Sequence, residues 1–398
     1  MRFLLGLLLV LTGVGCAPSP ESDAVRIAVS CPTGFNTGLE MLAGIELALR
    51  EVGGEVQGRR VELRVFDVSD RSQPLRLSEE AEVRAAREAA ADPSVLGYIG
   101  PLFSGPAKLS IPILNQAGVP QISPAASWPG LTRSGFEPGE PGVYYPTGRR
   151  TFYRVITNDE RQVVAAADWA FAMGFRRFYI LEAESAYARG MAGIFRERIL
   201  DFEAAVVGHD RLSEYPTTAG ELQEYPAKVA TAKPDMLFFS GDFQSQGAID
   251  NFQVLEAIRR RLPEVAVMTP ETLSNRVLLE RTGDALKEGV YGVSGAIPPP
   301  HLGTIQSERF RENFEKTFGR KPGALGSLAY EAALVLLEGM ENAASLDRES
   351  ILGALDQLGT PKGVLTDWRL DAAGDRTGTG VAGYSVQHGQ WTFTQILD

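Results

Sequence analysis

The chain is poor in the residues around which most enzymes and metal proteins are built. It has two cysteines, Cys16 and Cys31, and three histidines, His209, His301 and His388. Two cysteines cannot make a disulfide scaffold, and the histidines lie too far apart to share metal-ligand spacing with a cysteine or with one another. There is no Walker sequence, no His-Glu-x-x-His helix and no serine in a Gly-x-Ser-x-Gly elbow. One Gly-x-Gly-x-x-Gly match, Gly378 to Gly383, leads into a strand with too few residues after it for a βαβ unit. These absences predict no metal, no cofactor and no catalytic residue, and so no enzyme. Lys and Arg number 39 against 50 Asp and Glu, a formal net charge of −11. No basic cluster stands out, which argues against nucleic acid as a partner. What remains is an ordinary globular composition, 44% hydrophobic in 398 residues, enough for one large or two medium domains.

The N-terminus has the layout of an export signal. Met1 and Arg2 supply a short positive start, and residues 3–14 form an uncharged apolar run. That run is short of the roughly 20 residues a membrane span requires. Leu11-Thr12-Gly13-Val14-Gly15-Cys16 follows, small residues before a cysteine, similar to a bacterial lipobox in which Cys16 becomes the lipidated N-terminus. An ordinary secretory signal cut nearby is the alternative. Residues 17–23 read as a tether. With Cys16 lipidated, Cys31 has no partner; it follows the apolar run 25–29 with no histidine nearby in sequence and reads as a small packing residue.

From residue 25 onward strand and helix patterns alternate. Strands are expected at 25–29, 61–66, 95–99 and 119–122, with helices at 39–52, 78–91 and 105–116 between them. This order argues for a parallel sheet covered on both faces. Residues 130–148, rich in Gly and Pro without a clear period, look like a surface insertion. The alternation then restarts, with helices at 163–173, 191–202, 222–232 and 246–259 and strands at 177–181, 204–209, 236–239 and 265–268. Helices at 309–318, 326–343 and 348–358 and strands at 368–370 and 381–386 end the chain. The fold class is α/β, with two units of one sheet each.

In parallel α/β sheets ligands bind beyond the carboxyl ends of strands. The loops there are 30–38, 100–105, 123–130, 182–190, 240–245 and 269–275. Ser104 and Ser127 each stand where a helix N-cap would. A helix N-terminus suits a carboxylate, and plain capping explains such a serine equally well.

The segments Gly44-Ile45-Glu46-Leu47-Ala48, Gly53-Gly54, Asp67, Ile99-Gly100-Pro101 and Gly118-Val119-Pro120-Gln121-Ile122-Ser123-Pro124-Ala125-Ala126-Ser127 resemble the type I periplasmic binding proteins of the leucine/isoleucine/valine group. The resemblance runs from about Val25 to the C-terminus. It implies two Rossmann-like lobes joined by three crossovers, near 153–157, 292–296 and 365–370. One lobe would hold 24–154 with 297–366, the other 155–296 with 367–398. It also implies a pocket. Ser104 and Ala125, Ala126 and Ser127 match positions that hold a ligand's α-carboxylate and amine, and Tyr187 matches a tyrosine that packs on the ligand from the second lobe. Asp242 or Phe243 falls near a further contact, and Glu271 matches the acid that pairs with the α-ammonium. Ser127 stands where threonine is usual, with Trp128 beside it, and Ala188 where glycine is usual.

The expected role is a lipid-anchored extracytoplasmic receptor, monomeric, that hands an amino acid or similar solute to the permease and ATPase of an ABC importer. A sensory or regulatory module, or an envelope lipoprotein with a protein partner such as a cell-wall synthase, would use the same fold. Replacing Cys16 by Ser should move the protein from the membrane to the soluble fraction, because acylation supplies the anchor. Fractionation of cells expressing both forms checks this.

Overall fold

The computed structural model describes residues 24–70, 77–183, 185–212, 221–240, 251–270, 279, 286–361, 363–365, 368–378 and 380–397. Cys16 lies outside them. The first half runs β1 (Val25–Cys31), α1 (Asn36–Glu51), β2 (Glu55–Val56), β3 (Arg59–Asp67), α2 (Glu79–Ala91), β4 (Val95–Ile99), α3 (Ser104–Gln116), β5 (Gln121–Ser123) and β6 (Phe152–Arg154). The second runs α4 (Asp159–Ala172), β7 (Arg177–Glu182), α5 (Ala186–Asp201), β8 (Ala205–Arg211), α6 (Glu221–Ala232), β9 (Met236–Ser240), α7 (Asn251–Arg261), β10 (Ala266–Thr269) and β11 (Val290–Ser294). Helices α8 (Ile305–Phe318), α9 (Ala324–Asn342) and α10 (Arg348–Asp356) and strands β12 (Val381–Gln387) and β13 (Gln390–Leu397) complete it.

Two sheets result, ordered β2-β3-β1-β4-β5-β6 and β13-β12-β11-β10-β9-β7-β8. Leaving aside the antiparallel β2 and the β12–β13 hairpin, each repeats the doubly wound order 2-1-3-4-5. The fully buried runs VLGYI in β4 and MLFFS in β9 suit strands covered on both faces. The chain passes to the second sheet after β6, returns after β11 to lay α8, α9 and α10 beside the first, and ends in the second. Helix α9 buries Leu328, Ala332, Val335 and Leu336 in the first core. It crosses α1 at near backbone contact: a Cβ on Gly44 would stand 2.2 Å from the Gly326 carbonyl oxygen.

Several boundaries differ from the sequence reading for local reasons. Asn158 caps α4 by accepting from the Arg161 N–H at 3.1 Å, so that helix starts four residues before the apolar period does. Neither Ser104 nor Ser127 is an N-cap. Phe103 occupies that position for α3, and Ser104 is its first helical residue. Residues 368–370 form no strand: Leu370 makes one isolated bridge, to Arg376. Strands β6 and β11 carry too few apolar alternations to be read from the sequence, and β13, whose Trp391 and Phe393 alternate with polar residues, is not among the expected strands. The segment after Trp128 is not a simple surface insertion, since Leu131, Glu140 and Tyr144 within it are buried. Cys31 is buried, and burial pushes its thiol up to about 12, so it packs as a neutral side chain. No helix among the described residues is long and apolar enough to cross a membrane.

Where the chain first passes between sheets, Arg154 is fully buried. Its Nε donates to Asp375 at 2.7 Å, its Nη1 to the carbonyls of Ala126 and Trp128 at 3.2 and 2.6 Å, and its Nη2 to Thr132. Asp375 also accepts from Thr132, from Arg133 at 2.7 Å and from Asn158 at 3.1 Å. Burial alone would raise the Asp375 carboxyl, but Arg154 and these donors hold it below its ordinary range. Gln162 ties the first crossing to the second, donating to the Thr157 carbonyl at 2.8 Å and accepting from the Gly295 N–H at 2.7 Å. Removing the charge of Asp375 leaves a buried guanidinium uncompensated. Asp375→Asn should therefore cost roughly 3–5 kcal/mol in urea denaturation. Glu349→Gln, at an exposed partner of Arg149, should change stability by less than about 0.5 kcal/mol.

Candidate functional site

The repeated strand order places a switch point in each sheet, between β1 and β4 and between β7 and β9. The loops leaving β4 and β7 lead into the first turns of α3 and α5, and residues 123–128 leave the neighbouring strand β5. Ser104, Ala125, Ala126, Ser127 and Tyr187 all lie on them. Asp242, Phe243 and Glu271 lie outside the described residues.

The 123–128 loop is built by its own hydrogen bonds. Ser123 Oγ accepts from the N–H groups of Ala125 and Ala126 at 3.2 and 2.8 Å and donates to the Pro101 carbonyl at 2.7 Å. The N–H groups of both alanines thus serve the loop, and Ala126 is buried while Ala125 is half-buried. Ser104 Oγ accepts from the Trp128 N–H at 3.0 Å. That bond occupies a lone pair and leaves the Ser104 proton free to donate, the polarity a carboxylate requires.

Ser127 has the opposite polarity because of a residue the sequence reading did not single out. Asp159, the first residue of α4, is buried; its N–H donates to the Ser127 carbonyl at 3.0 Å, and the nearby Ser127 hydroxyl favours its ionised form. When Asp159 is ionised, Ser127 donates to it and keeps lone pairs to offer, the polarity an ammonium requires. Burial raises Asp159 to about 6, opposed by the Ser127 hydrogen bond and by the positive charge of Arg154. An acid directly after a capping asparagine looks like ordinary helix-start chemistry, which hides this role in the sequence.

Across from this loop stands α5, capped by Ser185, whose hydroxyl accepts from the Ala188 N–H at 3.1 Å. Tyr187 is half-buried in its first turn and meets the Trp128 ring at a centroid distance of 6.3 Å. The structure therefore brings Ser104 and Tyr187 to the same residue, Trp128, from opposite sides. A cavity of about 810 Å³ lies beside this contact, between residues 132–137 and α5, with Arg133, Glu137, Glu160, Arg189 and Glu197 among its walls. None of the predicted ligand residues lines it. Among the described residues no group of acids, histidines or cysteines could hold a metal ion.

A family profile described as periplasmic binding protein matches residues 24–390. The chain belongs to the periplasmic binding protein family. Solved structures of similar fold include a leucine binding protein from Thermotoga maritima, 23% identical, with a TM-score of 0.72 over 94% of this chain and 99% of that one. An ABC transporter substrate-binding protein from Desulfitobacterium hafniense, in complex with Leu, is 21% identical with a TM-score of 0.76 over 94% and 100%. A solute-binding protein of an ABC transporter from R. palustris, in complex with benzoate, is 18% identical with a TM-score of 0.67 over 94% and 96%. No curated protein sequence matches the chain. The family accounts for the two-lobed type I fold, for ligand binding and for an extracytoplasmic setting.

The raised Asp159 carboxyl has a consequence independent of ligand. A folded-state value near 6 against an ordinary 3.8 means that ionisation opposes folding: the cost is absent below about pH 4 and complete above about pH 6. Asp159→Asn should match the parent in stability at pH 4 and gain on it as pH rises, by on the order of 3 kcal/mol at pH 7.5. Urea midpoints across that range check the sign.

Proposed function

We propose that this periplasmic binding protein is the receptor of an ABC importer and that its solute is an amino acid or a close relative. The observation that carries this reading is the paired polarity at the first-sheet loops. Ser104 has a proton to give, Ser127 has lone pairs to offer, and Asp159 holds Ser127 that way. A zwitterion entering a closing cleft requires both, because an unpaired charge or polar group there costs several kcal/mol. Tyr187 would cover the solute from the second lobe, with Asp242 or Phe243 and with Glu271 as the acid facing the ammonium. We assign residues 24–154 and 297–366 to one lobe and 155–296 and 367–398 to the other, a division supported by the packing of α9 on α1. A hinge between them would close on the solute.

An organic acid is the second reading, favoured by the benzoate-bound neighbour. The two separate by charge. A thermal-shift screen with amino acids, amides, urea and small organic acids finds the solute, and titration calorimetry measures it. For an amino acid, Glu271→Gln should weaken binding by roughly 2–5 kcal/mol, and Ser127→Ala by about 1 kcal/mol. For an organic acid, Glu271→Gln should be mild or helpful. Amino-acid affinity should also fall as pH drops below about 6, because protonation of Asp159 removes the charge that keeps Ser127 as its donor. Parent protein that binds no amino acid, or Glu271→Gln protein that binds one as tightly as the parent, would refute the amine-pairing scheme.

A further inference from the structure

The segment from Trp128 to residue 148 is fastened to the first sheet's side of the molecule and reaches the second. On α3, Lys108 Nζ lies 3.1 Å from Glu140 and 4.8 Å above the Trp128 ring, and Asn115 bonds the Thr147 N–H and the Arg149 carbonyl. At the crossing, Thr132 and Arg133 bond Asp375, and Arg133 bonds Asp371. The Trp128 indole is fixed on every side. Its Nε1 donates to Glu140 at 3.0 Å, its backbone N–H to Ser104 and its carbonyl accepts from Arg154, while Phe136 packs edge-on at 5.5 Å. Glu140 is itself buried and also accepts from Tyr144 and from the Glu137 N–H. The ring also faces α5, where it meets Tyr187, and a Cβ on Gly190 would lie 3.4 Å from its Cη2.

We infer that Trp128 is a positioning residue, a rigid stop carried by the 128–148 segment against Tyr187 and Gly190, and that this contact biases the two lobes toward the closed arrangement before any solute arrives. The inference rests on the hinged two-lobe reading and does not depend on which solute binds. Closing the lobes buries the indole edge, and opening them exposes it. The single polar group of the side chain, Nε1–H, is satisfied by Glu140 within one lobe, so the contact with α5 is what changes between the two states. Gly190 lies in a helix without a left-handed backbone, so a methyl there is tolerated and fills ordinary van der Waals space against the ring. If the closed population falls tenfold, apparent solute affinity falls by the same factor.

The test uses small-angle scattering of the purified full chain freed of solute, with circular dichroism to check folding. Trp128→Ala should show a larger radius of gyration than the parent, and Gly190→Ala a radius equal to or smaller than the parent's with a narrower distance distribution. In the Trp128→Ala background, Gly190→Ala should have no effect, because its partner is gone. A solute-free Trp128→Ala profile identical to the parent's overturns the inference, as does a Gly190→Ala effect that persists without the indole. Should Trp128→Ala fail to fold, Gly190→Ala decides alone, and an unchanged distance distribution counts against the stop. These measurements contain no solute, so failure of the amino-acid reading leaves their outcome intact.

Discussion

The buried pair of Arg154 and Asp375 is the constraint on which the site depends. A fully buried guanidinium is tolerated only when its donors are met, and here they are met by a carboxylate, a hydroxyl and two backbone carbonyls. Those carbonyls belong to Ala126 and Trp128, on either side of Ser127. The carboxylate belongs to the third passage of the chain between the sheets. One side chain therefore couples the shape of the 123–128 loop to the geometry of the crossings, and the loop cannot relax without stranding a charge. The price of this coupling is sensitivity: any change that moves residues 126–132 also disturbs the crossing.

Held in this way, the loop presents hydroxyls whose direction is decided by their other partners. A serine hydroxyl is neutral in its preference, since it can donate or accept. Ser104 becomes a donor because the Trp128 N–H takes its lone pair, and Ser127 becomes an acceptor because Asp159 takes its proton. The same tryptophan that orients Ser104 also touches Tyr187 on α5, so the loop beside the first sheet and the helix beside the second meet at one residue.

Much of the fold could be read from the sequence because buried parallel strands and amphipathic helices leave strong local patterns. Runs such as VLGYI and MLFFS are apolar over their whole length, and the helix at 78–91 is bounded by a capping serine. The reading failed where the pattern is short or the residue has two local uses. Strand β6 is three residues, FYR, and its arginine reads as surface polarity until the crossing buries it. Ser104 and Ser127 suit an N-cap in isolation, yet the loop that folds over α3 gives both other partners. The Gly- and Pro-rich segment after Trp128 has no period, so nothing in it announces that Glu140 and Tyr144 are buried together.

The sequence by itself determined the α/β alternation, its restart after residue 148 and the positions at which loops leave the strands. These depend on periodicity within ten or fifteen residues, which the chain carries locally. Tertiary structure alone decided which distant residues meet: Arg154 with Asp375, Ser127 with Asp159, Trp128 with Tyr187. Pairings of that kind are set by how the two sheets stack and how the chain crosses between them. Burial then determines their energies, turning an ordinary aspartate into one that holds its proton near pH 6 and an ordinary arginine into the centre of a buried network at the crossing.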